Sequence, residues 1–300
     1  MDGAGPGTLT ARRPAAARPQ RLWRIAALTL ALTGPLLLSC TDPLDSPPPP
    51  PTPVPTVAPR VPTPTPVPVP TPTPGLQTGD AIVVGGEVRT RAGPSSQTEQ
   101  IGTLQDGQPL KIVARVRGEN WLVGSQTWVG VNPDWASEWF QLEDGSYVYG
   151  PLVFILREGE VSPLMEAAEE KWVDVSLSQQ VARAMVGDQV VFTAPATTGA
   201  PPFETPKGTF AIEDDGRIAV ERMTASQAGY DPTQTRYDVE RVLFTQYFDR
   251  SGNALHLNYW RPHSVFGQAP TSHGCVGLEL HEAQYLWLFA EPGTRVEIHD

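Results

Sequence analysis

The chain has 300 residues, a length that allows one to three domains. Its 33 acidic and 22 basic side chains are unevenly distributed, because the first 40 residues carry five Arg and one Asp. The remaining 260 residues have a net charge of −15, which argues against nucleic-acid binding and against spreading on anionic lipid, since both need a basic face. The only cysteines, Cys40 and Cys275, are too few for a disulfide framework and form no C-x-x-C zinc pair.

The N-terminus has the pattern of an export signal. Five Arg in residues 12–24 precede an apolar run, Ile25–Leu38, which is shorter than the about 20 residues that a membrane-spanning helix needs. The following Leu-Leu-Ser-Cys sequence resembles a bacterial lipobox, in which the cysteine becomes the lipid-modified first residue. We expect a lipoprotein-type signal peptide at residues 1–39 and lipid attachment at Cys40. The alternatives are an ordinary signal peptide with a chance cysteine and an uncleaved membrane anchor.

Residues 40–79 are predicted to be a disordered, Pro-rich linker. Residues 47–74 contain 15 Pro, and such sequence favours polyproline II and buries no core. At about 3.1 Å per residue this stretch would reach on the order of 90 Å. The spacer predicts an extracytoplasmic protein that is held at the membrane by its lipid anchor only and works at the cell wall.

Residues 80–145 are predicted to form a small all-β module. Short β-rich runs are separated by turn residues, with strands expected at Ala81–Val84, Leu110–Val116, Trp121–Val123 and Trp128–Val131. The V-R-x-R-x-G-P sequence that begins at Val88 and the later Trp-Val pair resemble a bacterial Src-homology-3-like domain. The tryptophans of this module are read as packing residues in preference to a ligand groove. Residues 146–164 are a predicted connector.

Residues 165–300 are predicted to form a mostly-β domain with one short helix. Strands are expected at residues 172–177, 209–212, 218–220, 241–248, 254–259 and 294–298, and a hairpin at 181–193. The helix is expected at His281–Phe289, and residues 221–240 are expected to be a loop over the cleft.

The chemistry-bearing residues of this domain are concentrated near Cys275. Three histidines, His256, His263 and His273, lie within 18 residues of one another and close to this cysteine. A thiol needs a nearby base to become nucleophilic near neutral pH, and histidine suits that role. A Cys/His enzyme, a zinc site of these four residues and a purely structural use are all compatible with the residue types. The spacings match no common metal template.

A family resemblance favours the enzyme. His256, a gap of 15 residues and then the Ser-His-Gly-Cys-Val run at residues 272–276 resemble the signature of YkuD-type L,D-transpeptidases. Gln180, the Thr-Gly pair at Thr198 and the T-P-x-G-x-F element from Thr205 are similar to further parts of that family. The resemblance implies a YkuD-type β-sandwich with no cofactor and no metal.

The resemblance also implies roles for individual residues. Cys275 would be the nucleophile, His256 the general base and acid, and the carbonyl of Leu257 would orient the His256 ring. His273 would shape the site, or support the turn as a packed residue. The oxyanion and support positions would be Gly274 and Ser272, and the expected substrate-binding residues are Tyr259, Trp260, His263, Phe266 and Gly277. The family usually has Asn or Arg where this chain has Gly277.

The implied reaction is acyl transfer between peptidoglycan stem peptides. Cys275 would attack the third residue of a tetrapeptide stem, release D-Ala and pass the acyl group to another stem, which gives a 3→3 cross-link. An L,D-carboxypeptidase and a non-catalytic wall-binding lipoprotein are the alternatives.

Overall fold

The computed structural model describes residues 79–123, 131–224, 226, 233 and 238–300. The predicted signal peptide, Cys40, almost all of the Pro-rich linker, Trp128–Gly130, Tyr230 and Tyr237 lie outside the described residues. All described residues belong to one unit, residues 64–300.

In its described residues, the first module contains eight strands in two sheets. One sheet has the order β4-β1-β8 and the other β3-β2-β7-β6-β5, and every pairing in them is antiparallel. The strands are β1 (Ala81–Val83), β2 (Val88–Arg91), β3 (Gln100–Leu104), β4 (Pro109–Leu110), β5 (Ile112–Arg117), β6 (Glu138–Leu142), β7 (Tyr147–Tyr149) and β8 (Val153–Ile155). The pairing of β8 with β1 carries this module past residue 145, into the predicted connector.

The predicted strands at residues 81–84 and 110–116 are confirmed, the second with a break before Ile112. The predicted strand at Trp121–Val123 is wrong, because these residues form a turn. The backbone N–H of Leu122 donates to the Tyr149 hydroxyl at 3.2 Å, and that of Val123 donates to Asn120 Oδ1 at 3.1 Å. Side-chain acceptors have therefore replaced the strand partner.

The second domain is built on a nine-stranded sheet with the order β12-β17-β9-β10-β11-β16-β15-β14-β13. Its strands are β9 (Lys171–Ser176), β10 (Val181–Val186), β11 (Gln189–Thr197), β12 (Gly208–Ala211), β13 (Arg217–Thr224), β14 (Asp238–Tyr247), β15 (Ala254–Leu257), β16 (Val276–Leu278) and β17 (Arg295–His299). One α-helix, α1 (Leu280–Phe289), follows β16. The mostly-β fold with a single short helix is therefore confirmed.

The predicted hairpin is present, and the strands expected at residues 241–248 and 254–259 form a second one. β10 pairs with β11 across the Gly187 turn, and β14 pairs with β15 across residues 248–253. The prediction of a loop at residues 221–240 is wrong at both ends, because β13 continues to Thr224 and β14 begins at Asp238, which places the buried Met223 opposite Val239. Among the described residues, α1 is the one α-helix, and no helix has the length and apolar character needed to cross a membrane.

Helix α1 is buried on nearly every side, because it packs against β14 and β15 of the second domain and against β8 of the first module. Gln284 Nε2 donates to the carbonyl oxygens of Pro151 and Val153, both at 3.0 Å, and Trp287 Nε1 donates to Asp106 Oδ2 at 3.1 Å. Trp139 is buried in the same hydrophobic core as the second domain's strands, in agreement with its interpretation as a packing residue. The first module thus fixes the helix that follows the central strand β16.

Candidate active site

The centre of the large sheet brings the predicted nucleophile and base to one place. β15 and β16 are parallel neighbours, with His256 opposite Gly277, and Cys275 immediately precedes β16. Both side chains line one cavity. The other lining residues are Met223, Tyr247, Gly252, Asn258, Trp260, Arg261, Thr271, Ser272 and His273. Strand pairing therefore brings His256 and Cys275, which are nineteen positions apart in the sequence, to the same cavity.

The His256 ring is held by two contacts. Its Nδ1 lies 2.8 Å from the carbonyl oxygen of Leu257, and its ring stacks on Trp260 with a centroid distance of 5.5 Å. Because a carbonyl oxygen only accepts, Nδ1 carries the proton, and Nε2 of the neutral ring keeps its lone pair. Burial lowers the pKa of His256 to about 4, so the ring is neutral at pH 7. His256 is therefore an unprotonated base in the cavity.

Cys275 is the free cysteine of the described residues, and it is half-buried. Its Sγ lies 3.8 Å from the carbonyl oxygen of Gly252. Burial, with a smaller contribution from the negative charge of Asp249, raises the pKa of the Cys275 thiol to about 11. The resting site consequently holds a neutral thiol and a neutral imidazole in the same cavity.

The turn before Cys275 is fixed by hydroxyl groups. Ser272 Oγ donates to the Cys275 carbonyl oxygen at 2.5 Å and accepts from the Gly274 N–H at 3.2 Å. Thr205 Oγ1 donates to the Gly274 carbonyl oxygen and accepts from the Gly199 N–H, both at 2.8 Å. An oxyanion at the Gly274 amide would have to share that N–H with Ser272.

Gly274 is required by the shape of this turn. Its φ is +112°, a conformation that residues with a Cβ rarely adopt. A Cβ at this position would lie 2.1 Å from Asn253 Oδ1, at the end of the β14–β15 hairpin. The glycine therefore allows the cysteine turn to approach the strand that carries His256.

A buried glutamine supports the same turn from further away. Gln180 Nε2 donates to Thr198 Oγ1 at 2.7 Å, and its Oε1 accepts from the Thr198 N–H at 2.9 Å. The Thr198 carbonyl oxygen in turn accepts from the N–H groups of Thr271 and Ser272, at 3.0 and 2.9 Å. Gln180 and Thr205, which the sequence marked only by family resemblance, thus act through the loop that precedes Cys275.

His273 lines the cavity and packs against Phe203, with a ring-centroid distance of 5.0 Å. Burial and the positive charge of Arg261 lower the pKa of His273, which keeps its imidazole neutral at pH 7. This position suits both the shaping and the supporting role that the sequence left open.

The other predicted substrate-binding residues are differently placed. Trp260 lines the cavity, but His263, Tyr259 and Phe266 are not among its lining residues. His263 is exposed and bonds Glu279 at 2.7 Å, while Tyr259 is buried and donates through its hydroxyl to the Glu240 carbonyl oxygen at 2.6 Å. Gly277 lies behind the lining residue Asn258. Within the described residues, no three His, Cys, Asp or Glu side chains are grouped as a metal site.

Sequence reasoning missed Asn258, Arg261 and Tyr247 as cavity residues. Asn258 lies two positions after His256 in the strand predicted at residues 254–259, and residues i and i+2 of an extended chain point to the same side. That periodicity was the available signal for Asn258. Tyr247 and Arg261 reach the cavity through the strand order and a loop, which no local pattern indicates.

Comparison with known proteins identifies the second domain. Residues 170–298 match the family model of the L,D-transpeptidase catalytic domain, YkuD. No curated protein matched the chain.

Solved structures similar to the chain include three mycobacterial proteins. L,D-transpeptidase 3 from Mycobacterium tuberculosis is 19% identical, with 43% of this chain and 61% of that chain covered and a TM-score of 0.40. Another L,D-transpeptidase from M. tuberculosis is 18% identical, with coverages of 51% and 64% and a TM-score of 0.38. An L,D-transpeptidase from Mycobacterium smegmatis is 17% identical, with coverages of 79% and 100% and a TM-score of 0.41. This chain thus spans less than two thirds of the length of the first two structures.

The family match covers nearly the whole second domain, from the first residues before β9 to the last strand β17. It includes His256, Cys275 and the threonine and glutamine residues that support the cysteine turn. Residues 170–298 are therefore an L,D-transpeptidase catalytic domain of the YkuD family.

Proposed function

We propose that this protein is a cysteine-dependent L,D-transpeptidase that forms 3→3 cross-links between peptidoglycan stem peptides. The supporting observation is the hydrogen bond from His256 Nδ1 to the Leu257 carbonyl oxygen. It leaves Nε2 as a base in the cavity that also holds the Cys275 thiol. A nucleophile with an oriented base is the arrangement that covalent acyl transfer needs.

In the first half-reaction the thiol proton moves to His256 Nε2 as Cys275 Sγ bonds to the carbonyl carbon of the stem's third residue. The carbonyl becomes a tetrahedral oxyanion. When it collapses, the carbon–nitrogen bond breaks, Nε2 returns the proton to the leaving amine, and D-Ala departs. A thioester on Cys275 remains.

In the second half-reaction the side-chain amine of another stem attacks the thioester. Nε2 accepts a proton from this amine, the carbon–sulfur bond breaks, and the departing sulfur takes that proton back. The product is an amide between two third residues, and the enzyme returns to its neutral thiol and neutral imidazole.

The neutral resting pair makes His256 a general base during attack, in place of a partner in a preformed ion pair. The burial that raises the pKa of Cys275 to about 11 also lowers that of His256 to about 4. Proton transfer is therefore unfavourable until a carbonyl carbon is close enough to bond the sulfur. Such a site protects the thiol from side reactions while no substrate is bound.

We further propose that the N-terminal segment holds this domain at the membrane and facing the cell wall. Lipid attachment at Cys40 and a stiff Pro-rich spacer would let the domain reach stem peptides at a distance from the membrane. Mass spectrometry of the mature N-terminus tests the anchor, because an unmodified chain that begins elsewhere contradicts it.

Incubation of the purified chain with tetrapeptide fragments tests the reaction. We expect cross-linked dimers together with free D-Ala. Tripeptide alone would replace the proposal with an L,D-carboxypeptidase, and unchanged substrate would contradict an enzymatic role.

A matched pair of histidine variants tests the base. We expect His256→Gln to lower the turnover number at least about a thousandfold, because the variant lacks the base that accepts the thiol proton. His263→Gln should keep activity, because His263 is exposed and outside the cavity. Equal losses in both variants would contradict the assignment.

A further inference from the structure

Two residues that line the Cys275 cavity each contain a buried polar atom without a hydrogen-bond partner among the described residues. One is Oδ1 of Asn258, whose residue is only 3% exposed, and the other is Nε of Arg261. Buried polar atoms are nearly always paired, so each exception calls for an explanation. A bound ligand that supplies both partners is such an explanation.

The backbone and the neighbouring glycine hold Asn258 in place. Its N–H donates to the Leu278 carbonyl oxygen at 2.8 Å, which ties it to the end of β16. Its side chain lies in the space that a side chain at position 277 would fill, since a Cβ on Gly277 would be 2.7 Å from Asn258 Nδ2 and 2.9 Å from Asn258 Cβ. Gly277 therefore leaves the room that Asn258 occupies.

Arg261 is held by Nη2 of its guanidinium group, not by Nε. Arg261 Nη2 donates to the Thr271 carbonyl oxygen at 2.8 Å, on the loop that leads to Cys275. The anchored guanidinium presents Nε as a donor, while Asn258 Oδ1 is an acceptor.

A trans peptide group points its N–H and its carbonyl in opposite directions, so one acceptor and one donor at its two opposite edges match it. Its N–H can donate to Asn258 Oδ1, and its carbonyl oxygen can accept from Arg261 Nε. A carboxylate would satisfy Arg261 but place negative charge near an acceptor oxygen, and an ammonium would satisfy Asn258 but not Arg261. The pair is therefore complementary to a secondary amide.

We propose that Asn258 and Arg261 determine specificity by binding the peptide group between the second and third residues of the donor stem. This inference rests on the proposed function. The scissile carbonyl must lie at Cys275 Sγ, so the peptide group on the N-terminal side of the third residue is the next one available to the cavity wall. Asn258 and Arg261 position the substrate and take no part in proton transfer.

Binding to the Cys275→Ala protein tests the proposal independently of turnover. The probes are a tetrapeptide stem and two ester analogues, in which oxygen replaces the N–H of the second-to-third or of the first-to-second peptide bond. By isothermal titration calorimetry, we expect the second-to-third ester to bind about tenfold to a hundredfold more weakly than the tetrapeptide, because it has lost a buried hydrogen bond. The first-to-second ester should bind as the tetrapeptide does.

The same comparison in two further variants locates the effect. In Cys275→Ala/Asn258→Leu the tetrapeptide should bind about tenfold to a hundredfold more weakly, and the penalty for the second-to-third ester should disappear. In Cys275→Ala/Arg261→Lys, which keeps the charge but lacks Nε, the tetrapeptide should also bind more weakly, with the ester penalty retained. Thermal unfolding checks that both variants are folded.

Equal binding of the second-to-third ester and the tetrapeptide to Cys275→Ala would overturn the proposal even if Asn258→Leu did not fold. Absence of tetrapeptide binding would overturn it as well. If the ester pattern is found but the chain with Cys275 forms no thioester, the proposed function fails while the binding site stands.

Discussion

The two walls of the Cys275 cavity are built in opposite ways. On the wall that carries Cys275, Ser272 and Thr205 supply hydrogen bonds to the Gly274 and Cys275 backbone. On the wall that follows β15, Asn258 and Arg261 each leave one buried atom without a partner among the described residues. The hydrogen bonds of the first wall are made within the protein, whereas the second wall has one buried acceptor and one buried donor without a partner in the described part of the chain.

This difference distinguishes the residues that hold the Cys275 turn in place from those that we propose to bind the substrate. A nucleophile must be held by groups that do not change when substrate arrives, so its supports are paired inside the protein. Groups that recognise a substrate must exchange partners, so they stay unpaired until it binds. Disruption of the first wall should therefore reduce chemistry or stability, and disruption of the second should reduce binding.

Removal of the thiol should have the largest effect. We expect Cys275→Ala to abolish acylation by a carbapenem, because the atom that forms the thioester is gone. Intact-protein mass spectrometry would show the adduct on the unaltered chain and none on the variant. The variant should keep its unfolding temperature, and a variant that still acylates would remove Cys275 from its assigned role.

The neutral resting pair predicts a steep pH dependence of simple alkylation. Because burial raises the pKa of Cys275 to about 11, the rate of iodoacetamide labelling should rise about tenfold per pH unit between about pH 7 and 10. Time-resolved mass spectrometry measures that rate, and the Cys275→Ala chain reports any labelling at Cys40. A rate that is independent of pH over this range would indicate a preformed thiolate–imidazolium pair.

The hydroxyl of Thr205 should matter for both stability and chemistry. Thr205→Val keeps the side-chain shape but leaves the Gly199 N–H and the Gly274 carbonyl unpaired in a buried place. We expect a loss of about 2–4 kcal/mol in the free energy of unfolding, and slower acylation because the turn is no longer fixed. Urea unfolding and acylation rates measure the two effects.

Thr209→Val is the matched control. Thr209 lies on β12, and its hydroxyl donates to Glu297 in an exposed place. This substitution should change the free energy of unfolding by less than about 0.5 kcal/mol. If both variants lost the same stability, the Thr205 hydroxyl would not be the support of the turn.

Local sequence signals predicted the strands that pair with the next strand along the chain. The Gly187-Asp188 turn and the Ser-Gly-Asn run at residues 251–253 each lie between β-rich segments, and both produced hairpins. The second hairpin places His256, and the Ser-His-Gly-Cys run places Cys275 before the next strand of the sheet. The placement of His256 and Cys275 on neighbouring strands was therefore predictable from residue types and family resemblance.

The features that the sequence did not predict depend on contacts between residues far apart in the chain. β8 was placed in a connector because its partner, β1, is about 70 residues earlier, and no local pattern links the two. Helix α1 was expected to have one apolar side, yet Gln284 is buried because the first module supplies two carbonyl acceptors. The role of Asn258 depends on the register that puts His256 opposite Gly277, which only the folded sheet provides.

Substitutions at Gly277 and Asn258, whose side-chain positions overlap, have the smallest expected effect on the free energy of unfolding. They also test most directly how the second wall is built. Gly277→Ala adds a Cβ within 2.9 Å of Asn258 Cβ and 3.1 Å of Thr197 Cγ2, so we expect a loss of about 1–3 kcal/mol in the free energy of unfolding. The double variant Gly277→Ala/Asn258→Gly removes the main clash, and should therefore be more stable than the sum of the two single effects by about 1 kcal/mol. Urea unfolding of the four proteins measures this coupling. Additive effects would mean that Asn258 moves aside freely, and that its place on the cavity wall does not depend on the glycine behind it.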